Sequence, residues 1–262
     1  MQRINTHALY QLGKHIEPIG RIDEDNAVYE DVLWVLMNAR MQVNQLLSNE
    51  TLPVKTCRKA ASEFITKIDA IVPAELQEAV KQDNKSKVDW WEIRQMKQAA
   101  TKFETVLAEE LAISDTYSIT QKGAYSTTEL IANAEVVFPL EVRRKLPPRA
   151  VQDIREAGKC LAFETPTAAA FHIVRAIESV ILVYYSKVMG EPPSNRMRNW
   201  GVYVNKMRDS GNADVKILDF FIHIKDNYRN PVSHPEAVLT VDEVLVLLAV
   251  AVGAISQMAA EL

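Results

Sequence analysis

Arg229, Asn230 and His234 are the residues of this chain whose types and spacing best suit proton transfer beside a phosphate. A neutral imidazole titrates near neutral pH, so His234 can take a proton from an RNA 2′-hydroxyl or return one to a leaving 5′-oxygen. Arg229 keeps its charge and offers a planar fork of donors, suited to the extra negative charge of a phosphorane-like transition state. Asn230 can orient either group or donate to a phosphate oxygen, and the adjacent Tyr228 is a further candidate substrate contact. One histidine serves poorly as both acid and base, so the chemistry calls for a second imidazole at the same place. The structural alternatives are a salt bridge from Arg229 to Asp226 or Glu236, and a His234 satisfied within its turn.

Helices must position these groups. Val215, Leu218, Phe221, Ile222 and Lys225 recur at three- and four-residue intervals, which predicts an amphipathic helix over 214–229 that breaks at Pro231. Each proline pushes its predecessor out of the helical region, so Asn230 and His234 are restricted and Arg229 to His234 is expected to form a short, stiff turn. Thr240 and Glu243 form a capping box that opens the next helix.

Arg229-Asn230 followed by His234 resembles the R-N-x-x-x-H signature of the HEPN superfamily (higher eukaryotes and prokaryotes nucleotide-binding). The asparagine carries the signal: arginine and histidine alone at this spacing would arise by chance roughly one time in four, the full motif roughly one time in a hundred. The run 164–178, from Glu164 through Phe171, His172 and Arg175 to Glu178, resembles an early helix of bacterial HEPN-like proteins. The resemblance covers about 147–262. It implies an antiparallel helical bundle and metal-independent endoribonuclease chemistry without a cofactor, in which the substrate's own 2′-hydroxyl attacks. It further implies a homodimer with both Arg and His sets facing one cleft, and membership of toxin or antiviral systems, with residues 1–146 as a helical region that senses a signal or binds a regulatory partner. By the same resemblance Glu164 and Glu178 become possible site members; capping and surface roles suit them equally. Many members of the superfamily are non-catalytic modules that bind a protein partner or a nucleotide, and that is the alternative function.

Composition narrows the class. The chain's 262 residues, 48% hydrophobic and 24% charged with only 8 glycines, suit a mainly α protein of one large or two ordinary domains. The richest apolar run, 244–255, is short for a membrane span, and the N-terminus lacks the apolar centre of a signal peptide. The two cysteines, Cys57 and Cys160, make neither a disulfide framework nor a metal set, so a reducing cytoplasm is expected. A formal charge of −4 argues against a broad basic surface for duplexes, and 147–262 holds 12 basic against 13 acidic residues. A small site for one or two phosphates remains open. Arg196 and Arg198, with Lys206 and Arg208 around Trp200, form either an RNA track or a solvated charged face.

Along the rest of the chain, residues 1–20 are expected to be loosely ordered or a docking arm. Helices are predicted over 31–47, from Thr56 to Ile71, over 74–81 and from Asp89 to Ala112. Trp90 and Trp91 are expected as buried anchors, with base stacking as the alternative. Tyr117 to Gly123 reads as a short strand or hairpin. Brief helices follow before Pro139 and Pro147, then helices over 149–163 and, capped by Thr165, up to Gly190, with Trp200 to Arg208 a shorter one. His172 and His223, on apolar helices, are expected as hydrogen-bonded core or interface histidines.

Overall fold

The computed structural model describes residues 4–48, 54–72, 86–194, 199–232, 234 and 236–262. It is mainly α, as the periodicities require; the predicted helix over 74–81 lies outside the described residues. The chain divides into two compact units, Met1–Thr116 and Tyr117–Leu262. The segment 117–146 therefore packs with the C-terminal helices.

In the first unit, α1 (Thr6–Gly20), α2 (Tyr29–Ser48), α3 (Cys57–Ile71) and α4 (Trp90–Ala112) pack in a ring, each on the next and α4 back on α1. Residues 4–20 are thus no loose arm. Leu12, Ile16 and Ile19 fall on one helical stripe and are buried, and burial of that stripe overrides Pro18 in the last turn. The rings of Phe64 and Phe103 stack at 6.0 Å between α3 and α4. Thr56 does not cap α3 with its side chain; the Glu110 carboxylate of α4 accepts from the amides of Lys55, Thr56 and Cys57 instead. Burial, then the Glu110 carboxylate, pushes the Cys57 thiol up to about 11. Trp90 and Trp91 are 55% and 46% exposed at the start of α4, not buried anchors, because Ile93, Met96 and Ala100 occupy its inward stripe.

The second unit contains α5 (Thr127–Asn133), a 3-10 turn (Ala134–Val137), α6 (Leu140–Lys145), α7 (Pro148–Ala162), α8 (Pro166–Met189), α9 (Trp200–Ser210), α10 (Val215–Ile224) and α11 (Val241–Glu261). The α7–α8 hairpin is its centre: α8 packs on α7, α9 and α11, while α5 and the 3-10 turn cover α7. Gly158 allows this cover, since a Cβ there would collide with the Leu130 carbonyl and the Ala134 methyl. Thr165 does not cap α8 with its side chain; its hydroxyl donates to the Cys160 carbonyl at 3.0 Å, closing the hairpin turn. At the opposite end of α8, Tyr184 donates its hydroxyl proton to Glu261 at 2.8 Å and accepts from the Asp214 amide at 3.3 Å, joining α8, α10 and α11. The expected strand at Tyr117 to Gly123 is no strand among the described residues. A lone extended segment has no ladder partner, and only the single bridge Lys122–Tyr125 closes its turn. By length and composition α8 and α11 could each cross a membrane, contrary to the expectation of no such segment; 50% and 44% of their apolar windows are buried inside the protein, as in core helices.

Two outcomes follow from this packing. Gly158→Ala should cost about 1–3 kcal/mol in chemical denaturation, because neither contacting group is a flexible side-chain end. Burial, followed by the Glu261 bond, raises the Tyr184 phenol from 10.0 to about 12. The folded state thus holds its proton where the unfolded state loses it, and this contribution, whole below pH 10, is lost as the pH rises toward 12. Melting curves of Tyr184→Phe should show less alkaline loss than those of the parent.

Candidate active site

Asp214 opens α10 by accepting from the Lys216 amide at 2.8 Å, and Ile217, Leu218, Phe221 and Ile224 bury its inner face. The helix does not continue unchanged to Arg229. From Lys225 to Arg229 the backbone widens into a π turn, with the Asn230 amide donating to the Lys225 carbonyl, and Asn230–Val232 continues the helical path. Pro231 supplies the cause. Its missing N–H and its ring conflict with a normal α turn against the carbonyl four residues back, and a wider turn removes that conflict. Arg229 and Asn230 therefore sit on helical backbone, before the expected turn.

The turn itself begins after Val232. The His234 amide donates to the Pro231 carbonyl at 2.8 Å and the Ala237 amide to the His234 carbonyl at 3.2 Å, so the backbone is held on both sides while the imidazole is exposed. Tyr228, Arg229 and Asn230 are half-buried, and Arg229 Nη1 donates to Asn230 Oδ1 at 3.4 Å. Asp226 pairs with Lys225 at 3.2 Å. Asn227, unremarked in the sequence, and His223 complete this surface. Asn227 Nδ2 donates to the His223 carbonyl at 2.9 Å and lies 3.1 Å from His223 Nδ1, and the His223 ring meets Tyr228 edge-on at 6.1 Å. His223 is exposed, not a core histidine; its four-residue spacing to Asn227 was the available signal.

The other candidates are placed differently. Glu164 has a left-handed backbone, φ 58°, and its carboxylate accepts from the buried Lys122 ammonium at 2.6 Å and the Thr120 hydroxyl at 3.3 Å. The bond to Lys122 holds its carboxyl below the usual range. Its partners tie the 117–125 loop to the α7–α8 turn. Glu178 is half-buried on α8. Arg196 and Arg198 lie outside the described residues. The Leu239 amide donates to Thr167 Oγ1 at 3.4 Å, so the segment leaving the His234 turn touches the first turn of α8.

No protein-family model, curated protein or solved structure matches this chain.

What the arrangement offers is a fixed guanidinium–amide pair and, four residues on from Asn230, an exposed imidazole on a pinned backbone. Because the His234 side chain is exposed and its turn is held by main-chain bonds, His234→Ala should change the unfolding free energy by less than about 0.5 kcal/mol. Thermal melting checks this; a large loss would make the residue structural.

Proposed function

We propose that this chain is a metal-independent endoribonuclease acting at Arg229, Asn230 and His234 from two copies that meet at a two-fold axis. The observation that carries the reading is the exposed His234 imidazole on a doubly bonded turn four residues along from the half-buried Arg229–Asn230 pair. His234 accepts the proton of a 2′-hydroxyl, O2′ attacks phosphorus, and the bond from phosphorus to O5′ breaks as O5′ takes a proton from a second imidazole. Arg229 donates to the non-bridging oxygens as their charge grows, and Asn230 steadies the guanidinium through its amide oxygen. The second imidazole is His234 of another copy, which makes the active form a homodimer. An exposed apolar side chain on α11, Val246 at 55%, supports that reading. The 1–146 region would then restrain or trigger the nuclease, as a cytoplasmic toxin or antiviral effector would require.

The non-catalytic alternative has one observation in its favour, the net acidity of 147–262, which disfavours tight grip on a polyanion. Chemistry separates the two. Proton transfer to and from the substrate's own hydroxyl predicts cleavage that persists in EDTA, leaves 2′,3′-cyclic phosphate ends and spares DNA. Arg229→Ala or His234→Ala should slow it on the order of a hundredfold or more, about 3 kcal/mol of transition-state stabilisation. End-group analysis of total RNA checks this. Intact RNA with the parent chain would leave the interaction module as the function.

A further inference from the structure

Outside the motif, and among the described residues, the second unit buries one carboxylate that its fold does not use up. Asp153 on α7 is 3% exposed, and its Oδ2 has no hydrogen-bond partner. Its Oδ1 lies 2.9 Å from His172 Nδ1 and 3.4 Å from Arg175 Nε, both on α8. His172 is thus hydrogen-bonded at the contact between α7 and α8, in keeping with the hydrogen-bonded core or interface histidine expected there. A carboxylate on Nδ1 fixes the tautomer that carries hydrogen there, which leaves Nε2 as the working nitrogen of a partly exposed ring. Arg175 meets Asp153 through Nε, and its side chain is 41% exposed. On α7, Lys159 pairs with Glu156 at 2.8 Å.

Successive residues advance about 100° around a helix, so Thr167 and His172 stand about 140° apart on α8, with Glu178, Phe171 and Arg175 on the arc between them. Thr167 is the residue bonded to Leu239, beyond the His234 turn. The outer strip of α8 therefore runs from the side touched by the motif segment to the Asp153–His172 pair. It carries Phe171, a ring 50% exposed where a packed helix would place a polar residue. An exposed ring, a guanidinium one turn on, a carboxylate-braced imidazole and one acceptor carboxylate are the parts that hold a nucleotide: stacking on Phe171, phosphate on Arg175 and His172 Nε2, and a ribose 2′-hydroxyl donating to Glu178.

We infer that this α8 strip, braced by Asp153, binds single-stranded RNA beside the Arg229–His234 motif. This rests on the nuclease reading for its choice of RNA, and binding tests it separately from cleavage. Fluorescence anisotropy of a labelled single-stranded RNA of mixed sequence, in EDTA, with the full chain carrying His234→Ala, measures binding without turnover. Adding His172→Gln, Arg175→Gln or Phe171→Ala should each weaken binding about tenfold, with the helical circular-dichroism spectrum at the assay temperature unchanged and an equal DNA strand bound less tightly. RNA that does not bind the His234→Ala chain, or binds as well after His172→Gln and Arg175→Gln, overturns the inference. Loss with Phe171→Ala alone also overturns it, because that marks an apolar contact of the kind a protein partner makes. If binding depends on all three residues and the parent never cuts RNA, the strip stands and the nuclease reading falls.

Discussion

A proline within a helical path cannot donate to the carbonyl four residues back, and Pro231 places that constraint directly after the residues that matter most. The π turn at Lys225–Arg229 is the local answer. It sets where Tyr228, Arg229 and Asn230 point relative to the buried face of α10, and it lets the path run on to Val232 before the chain turns at His234. A regular α-helix to Arg229 would rotate the guanidinium around the helix axis relative to Ile224 and Phe221, whose burial anchors the segment.

The frame that makes this useful is polar as well as apolar. Tyr184, Glu261 and the Asp214 amide join three helices at one end of α8, and Asp214 also caps the helix that leads into the π turn. At the other end Lys122 and Glu164 fix the α7–α8 turn, where a left-handed glutamate is strained and would not persist without its partners. Between them Gly158 lets α5 and α7 approach closely. The long helix α8 is therefore held at both ends, and its outer strip is presented as a fixed surface.

Much of this was legible in the sequence, for physical reasons. Burial imposes periodicity, so Ala169, Ile173, Ile177 and Tyr184 revealed α8, and Gly190, at φ 76°, marked its end. The capping box of Thr240 and Glu243 is present as its residues demand. Capping from afar left no local trace: Glu110 serves α3 across 53 residues or more, and Thr56 and Thr165 looked like caps because their types suit the role. The π turn was hidden because proline signals a break without saying whether the backbone stops or widens. Asp153 was hidden too, since a charged residue on a helix reads as solvent-facing until its partners on the next helix are known.

The catalytic reading depends on two imidazoles sharing one phosphodiester, with one turn in each of two copies supplying them. A dual-tagged heterodimer of parent and His234→Ala chains, purified by both tags, isolates that requirement. If each scissile bond needs His234 from both copies, the heterodimer should cleave RNA as slowly as the His234→Ala homodimer. Cleavage at about half the parental rate would show that one copy suffices and would contradict the account.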